Sequence, residues 1–284
     1  MTIERPKIQD VTDTAIWVAA YRAEENKRKD ALFRDPFAEK LIGEKGIELA
    51  RRTQGSRYTA WSVVIRTYII DHFIEDLISS GKVNTVLNLG AGLDSRAYRM
   101  NFPPRFRWIE VDFPKMIDYK KELLQSDHPK CQLEYYSFDL SLEDQRDILL
   151  EKLSFNNTDK VLVLTEGVIP YLNNEDASQF VHWLYQQNAF LFWITEYYSP
   201  EILSFLRTPK RLKQMEQSPF LFNPDDWFGF FKERGWTPLE IKYFGEVSEK
   251  VGRTPPVPSW LRENDLDGQD RIKKFLGYSL LKKL

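Results

Sequence analysis

Hydrophobic positions change their spacing near residue 80. Before that point apolar residues recur at helical intervals. Ile65, Ile69, Phe73 and Leu77 mark one face of a pattern running from Tyr58 to Ile78. Upstream, Asp13 and Thr14 can cap a helix through Ala15, Ala19, Ala20 and Ala23 into the charged stretch from Glu24 to Lys29. Asp35-Pro36 predicts a helix restart, with proline suited to the first turn. Beyond residue 80 come short β-rich runs: Thr85 to Leu89, Arg107 to Val111, Leu133 to Phe138, Val161 to Thr165 and Ala189 to Tyr197. Helical character fills Pro114 to Ser126, Leu142 to Leu153 and Asn174 to Gln187. Strand alternating with helix predicts an α/β fold with a parallel sheet covered on both faces.

The alternation breaks after Tyr198. Pro200 to Gln217 reads as a helical insert, basic at Lys210, Arg211 and Lys213. Asn223-Pro224-Asp225-Asp226 predicts a helix start capped by Asn223, and Gly235 its end. Leu239 to Phe244 and Phe275 to Leu281 are candidate last strands, and Glu246 to Pro258 reads as a loop. No linker cuts the chain. The expected organisation is one domain: a helical cap over 1–80, an α/β core over 81–198, and a helical insert with the last strands over 199–284.

Composition narrows the classes. The chain has 284 residues, with AVILMFWYC at 42% and DEKR at 29%, which excludes a disordered chain and a disulfide scaffold. The net charge of −2 gives no reason to expect nucleic acid or an anionic membrane as partner. Aromatic content of 14% predicts a bulky core and is compatible with an aromatic-walled pocket. Cys131 stands alone, and His72, His128 and His182 lie far apart, so neither an intramolecular disulfide nor a zinc site is expected. The start of the chain lacks a secretory apolar segment, and runs such as Ala189 to Thr195 are too short to span a bilayer, so the expected location is cytoplasmic.

In an open parallel sheet, ligands bind at the carboxyl ends of the strands. Four features follow successive strands here: Gly90-Ala91-Gly92, Asp112, Asp139-Leu140 and Glu166. Gly90, Asp112, Asp139 and Glu166 are spaced by 22, 27 and 27 residues, one strand–helix step each. Gly90 and Gly92 let the backbone turn tightly against a ligand. An acid at the end of the second strand can accept both hydrogen bonds of a ribose diol. Each feature alone also suits a tight turn, a helix cap or a solvated loop. Together on one rim they suggest an adenosine-bearing cofactor. The third glycine of the dinucleotide fingerprint is replaced by Ser95, and Asp94 sits where a pyrophosphate would arrive. A cofactor with a cationic sulfonium and amino group fits that acid better than NAD does.

Val86 to Arg96 (Val-Leu-Asn-Leu-Gly-Ala-Gly-Leu-Asp-Ser-Arg) resembles the first motif of the leucine carboxyl methyltransferase family. Glu110-Val111-Asp112-Phe113-Pro114 resembles its second motif, and Thr165 to Leu172 its fourth. Ala20-Tyr21-Arg22-Ala23 and Phe33-Arg34-Asp35-Pro36 resemble the entry segment of the bacterial branch. The resemblance implies a class I methyltransferase, Rossmann-like fold: a seven-stranded, mostly parallel sheet, its last strand antiparallel, under an N-terminal helical cap. It implies S-adenosyl-L-methionine as cofactor. Arg22 and Arg66 match the positions at the cofactor carboxylate, Gly90 the glycine under its methionine part, Asp112 the ribose acid, Asp139 and Leu140 the adenine pair, and Glu166 the acid near the amino group.

The reaction expected from this resemblance is O-methylation of a carboxylate on a small molecule or a peptide terminus. A carboxylate acceptor is already an anion, so alignment rather than a general base carries the reaction. Tyr171 is a candidate for orienting the acceptor; Tyr197 and Tyr198 are further candidates, and aromatic packing explains all three equally well. Two other readings remain open: an NAD-dependent oxidoreductase, and a module that binds the cofactor without turnover.

Overall fold

A computed structural model of the chain describes residues 11–43, 46, 57–209, 219–256 and 273–284. Its centre is a seven-stranded sheet of β1 (Thr85–Leu89), β2 (Arg107–Asp112), β3 (Gln132–Ser137), β4 (Val161–Thr165), β5 (Phe190–Tyr198), β6 (Trp236–Tyr243) and β7 (Leu276–Lys283). The strand order is β3-β2-β1-β4-β5-β7-β6. The first five strands are parallel, and β7 runs antiparallel to both β5 and β6. This is the expected class I methyltransferase sheet. The order reverses between β1 and β4, and the crevice at such a reversal is where an open α/β sheet binds its ligand.

Side chains alternate between the two faces of each strand, so the core has two layers. Val86, Trp108, Leu162 and Ile194 pack on one face against Ile65, Ile69, Phe73 and Leu77 of α3 (Arg57–Ser79). Leu87, Ile109, Val163 and Trp193 pack on the other face, with Leu149 of α6 (Glu143–Leu153) and Phe180 and Leu184 of α7 (Asn174–Tyr185). β1 and β4 are buried along their whole length, as strands covered on both faces must be.

The N-terminal region is helical, as the spacing predicts, but its starts differ. α1 covers Val11–Asn26, so Thr14 lies inside the helix instead of capping it. After Asp35-Pro36 comes a turn, and α2 covers 38–43. The remaining helices of the core's first half are α4 (Arg96–Arg99) and α5 (Pro114–Leu123, with Pro114 in its first turn).

The expected insert begins with α8 (Pro200–Leu206), capped by Ser199. Lys210, Arg211 and Lys213 lie outside the described residues. Two expectations beyond it need correction. The helix expected to start at Asn223 is α9 (Trp227–Lys232), and its cap is Asp226, whose side chain accepts from the Phe228 N–H. Asn223 is instead engaged with Asn174, backbone N–H to side-chain oxygen and side-chain amide to backbone carbonyl. Residues 244–250, read as the end of a strand and the start of a loop, form α10 (Phe244–Lys250). Phe244 and Ser248 are buried there, and the Ser248 hydroxyl accepts from the Trp61 indole on α3 at 2.7 Å, so tertiary packing makes the helix. Among the described residues no helix is long and apolar enough to cross a membrane.

Candidate functional site

The carboxyl ends of β1, β2, β3 and β4 open onto one cavity of about 470 Å³. Arg22, Arg66, Gly90, Gly92, Asp112, Asp139, Leu140 and Glu166 all line it, and so does Tyr171. The strand-end residues picked out by spacing, the two arginines implied by the resemblance and Tyr171 thus all meet at one cavity.

The end of the cavity near β2 is built from backbone. Gly90 has φ +73°, and a Cβ there would lie 2.5 Å from Val168 Cγ2, so only glycine fits this turn. The Gly90 and Ala91 N–H groups donate to the Val111 carbonyl, at 2.8 and 3.1 Å. Asp112 Oδ2 accepts from the Gly92 N–H at 2.6 Å and Oδ1 from the Phe113 N–H at 2.7 Å. An ionised carboxylate has about four acceptor sites, so both oxygens keep capacity for a diol. Burial pushes the Asp112 carboxyl up, and the two N–H bonds and the charge of Lys120 offset only part of that. Asp139 Oδ1 accepts from the Ser141 N–H and hydroxyl, at 2.9 and 2.6 Å. It therefore closes the turn into α6 while also lining the cavity, so the cap and the ligand readings are compatible at this residue.

The opposite end is built from side chains. Glu166 Oε2 accepts from Arg96 Nη1 at 3.0 Å, and its Oε1 lies 2.8 Å from Arg66 Nε. The second contact is not along a hydrogen-bond direction, so the buried Arg66 Nε–H has no acceptor. Arg96 also donates to Asp71 Oδ1 and to Asp94 Oδ2, each at 2.7 Å. Arg99 donates to Asp71 at 2.8 Å. Asp94 further accepts from the Asn88 amide at 2.9 Å and from the Arg96 N–H at 2.7 Å. Burial opposes the ionised forms of Asp94 and Glu166. The Arg96 guanidinium nevertheless holds Asp94 well below the usual carboxylate range, and Arg66 with Arg96 holds Glu166 down.

Arg22 behaves differently from Arg66. Its Nε donates to Asp35 Oδ2 at 2.8 Å and its Nη2 to the Leu93 carbonyl at 2.6 Å. Asp35 also accepts from the Ser95 hydroxyl at 2.7 Å. Arg22 thus ties α1 to the glycine turn, with much of its fork engaged. Arg66 lines the cavity as the ion-pair partner of Glu166, and its Nε, like that of Arg99, is buried without an aligned acceptor.

The strand-end spacing and the motifs assign no site role to Asp35, Asp71, Arg96 or Arg99. A polar Asp71 between Ile70 and Phe73, in the apolar stretch of α3, was the available signal. Tyr171 stacks on Phe220 with ring centroids 5.0 Å apart, and burial raises its hydroxyl pKa. Tyr197 and Tyr198 do not line the cavity. Tyr197 stacks on Phe228, and Tyr198 packs against Phe220 and Trp227. Of the three tyrosines considered for the acceptor, only Tyr171 faces it. Among the described residues no three His, Cys, Asp or Glu side chains are grouped to hold a metal.

Residues 15–185, more than half of the chain, match the family described as leucine carboxyl methyltransferase. A protein of Frankia alni, provisionally named an S-adenosyl-L-methionine-dependent methyltransferase, is 28% identical over 86% of this chain and 90% of its own length. A Streptomyces coelicolor protein with the same provisional name is 34% identical over 62% of this chain and 65% of its own. Among solved structures, a DUF574 family protein of Streptomyces avermitilis aligns with a TM-score of 0.59 and 13% identity, covering 94% of this chain and 97% of that one. A provisionally named methyltransferase of Thermobifida fusca aligns at 0.56 and 12%, covering 99% and 97%. These two likenesses are of fold.

Proposed function

This chain belongs to the leucine carboxyl methyltransferase family, and on that premise we propose that it is an S-adenosylmethionine-dependent O-methyltransferase acting on a carboxylate. The cofactor, when bound, supplies a methyl group already activated on a sulfonium. The residues fit such a group at both ends. Asp112 keeps acceptor capacity for a ribose diol, and the Gly90 turn has no room for a Cβ. Asp139 and Leu140 line the wall beside it. At the other end Glu166, ionised beside two arginines, can accept from an ammonium. The observation that carries the reading is the pair of Arg66 and Glu166, opposite charges 2.8 Å apart that both line the cavity. A carboxylate arriving beside an ammonium would be held between the two.

A dinucleotide fits less well. Asp94 stays ionised at the glycine turn, and Ser95 is bonded to Asp35. The cavity's acids are engaged: Glu166 and Asp94 by arginine, Asp112 by backbone N–H groups, Asp139 by Ser141. That suits an acceptor needing no proton removed, such as a carboxylate on a small molecule or a peptide terminus. Tyr171, kept protonated by burial, can donate a hydrogen bond to an acceptor oxygen and orient it. Alignment and exclusion of water then carry the rate.

Calorimetric titration with S-adenosylhomocysteine, with NAD as control, tests the cofactor. One-to-one micromolar binding of the first and none of the second is expected; the reverse would return the oxidoreductase reading. Transfer of label from methyl-labelled cofactor to carboxylates, phenols and peptides tests the acceptor. Base-labile methyl esters are the expected product. Binding with no transfer to any of them would leave a cofactor-binding module.

A further inference from the structure

One buried carboxylate has no part in the site described so far. Glu196, on β5, is only 2% exposed. β4 and β5 pair in register through Leu164 and Ile194, and two residues further along each chain lie Glu166 and Glu196. Among the described residues no cation lies within ion-pairing distance of Glu196. A buried carboxylate without a counter-ion destabilises a fold unless its oxygens are hydrogen-bonded.

Both oxygens are held. Oε1 accepts from the backbone N–H of Gly167 and from the Tyr278 hydroxyl, the latter at 3.4 Å. Oε2 accepts from the Thr195 hydroxyl at 3.1 Å. Behind Thr195 stands a chain: the Trp193 indole donates to Thr165 at 2.9 Å, and Thr165 donates to Thr195 at 3.1 Å. The carboxylate is therefore fixed from the turn after β4, from β5 and from β7 at once.

What it holds in turn is the turn of Glu166 and Gly167. Gly167 has φ +77° and lines the cavity, with its N–H pointed away into the sheet at Glu196. Glu166 precedes it in the chain. Arg66 completes the link. It lines the main cavity and also a small second cavity of about 40 Å³, whose wall includes Glu196, Tyr198 and Tyr278. Arg66 therefore shares the wall of the main cavity with Glu166 and the wall of the small one with Glu196.

We propose that Glu196 is a positioning residue of the cofactor site: by accepting the Gly167 N–H it fixes the turn that carries Glu166, and with Glu166 it flanks Arg66, so that both groups are aimed at the amino-acid end of the cofactor. The proposal rests on the cofactor reading above. Burial raises the Glu196 carboxyl, and the Gly167 N–H and Thr195 offset part of that, consistent with a group whose oxygens serve as acceptors more than as a charge.

The test uses two ligands. S-adenosylhomocysteine carries the amino-acid moiety; 5′-methylthioadenosine has the same adenosine and sulfur without it. Glu196→Leu removes the acceptor, and Glu196→Gln retains one. By titration calorimetry, Glu196→Leu is expected to bind S-adenosylhomocysteine about tenfold to a hundredfold more weakly. Its affinity for 5′-methylthioadenosine should stay within about twofold, and Glu196→Gln should bind both within about threefold of wild type. Tyr278→Phe, which loosens the carboxylate without removing it, should show the same selective loss at about twofold to fivefold. If Glu196→Leu does not fold, as judged by circular dichroism, Tyr278→Phe and Glu196→Gln decide the matter. Equal losses of both ligands, or no loss of either, in Glu196→Leu or Tyr278→Phe overturn the proposal, as does a selective loss in Glu196→Gln as large as that expected of Glu196→Leu. Wild-type protein that binds neither ligand would instead overturn the cofactor reading.

Discussion

The two ends of the cavity solve the same problem by different means. At the Asp112 end, the acid is set by its own neighbours. It accepts from Phe113, the next residue, and from Gly92, on the turn beside β2. At the Glu166 end, the acid is set by Arg66 and Arg96, and Arg96 by Asp71 and Asp94. Those groups come from α3, α4, the turn after β1 and the turn after β4. The first end depends on local chain geometry, so losing one side chain should cost function and spare the fold. The second is a network of buried charges, where removing one member strands another. A stranded buried charge costs far more than the pair contributes.

That contrast can be broken experimentally. The largest effect is expected at Asp71, which touches neither ligand nor solvent but holds Arg96 and Arg99. Asp71→Ala should lower unfolding free energy by about 3–5 kcal/mol, read from denaturant melts. A change below roughly 1 kcal/mol would mean that the network behaves like a surface one. Asp112→Ala comes next. It should weaken S-adenosylhomocysteine binding by about 1.5–3 kcal/mol, roughly one to two orders of magnitude, while the melting curve barely moves. Equal loss of stability and affinity would erase the distinction between the ends.

Gly90→Ala sharpens the comparison, because at the local end the backbone and not the acid should carry stability. A Cβ 2.5 Å from Val168, at positive φ, should cost about 1–3 kcal/mol of stability. Wild-type melting of that variant would show that the turn can relax. The smallest effect is in pH. Asp112 has a raised pKa, whereas Glu166 and Asp94 have lowered ones. Of these three, Asp112 takes up its proton first on acidification. The native state then binds more protons than the unfolded one, so this group adds slightly to stability as pH falls through its folded pKa, while cofactor affinity declines. The lowered acids act with the opposite sign: their contribution is present above the unfolded pKa and is lost only as pH falls through their folded values. Cofactor affinity measured from pH 7.5 downward should therefore weaken before the fold does, and Asp112→Asn should remove that early step. Simultaneous loss of both would assign the step to the arginine network.

Much of this was legible beforehand because the relevant signals are local. Strand runs alternating with helices, and acids spaced one strand–helix step apart, located the rim and its residues. Tyr197 and Tyr198 were equally plausible by sequence, yet they pack into the aromatic cluster of α9 because their strand turns them that way. The helix at residues 244–250 was missed because its reason is not local: Ser248 and Phe244 dock against Trp61, nearly 190 positions away in the chain.

The sequence by itself determined the succession of strands and helices, the glycine turn and the place of the acid after the second strand, since each is a pattern local to its stretch of chain. Only the tertiary structure decided how the charges pair. Arg22 is fastened to Asp35 and Leu93, Arg96 is shared among three acids, and Arg66 pairs with Glu166 at the cavity wall. Which acid each arginine meets is a matter of distances of 3 Å or less between segments far apart in the chain. No pattern along a single strand or helix encodes those distances; they are fixed when the two faces of the sheet are packed and the buried charges must find partners.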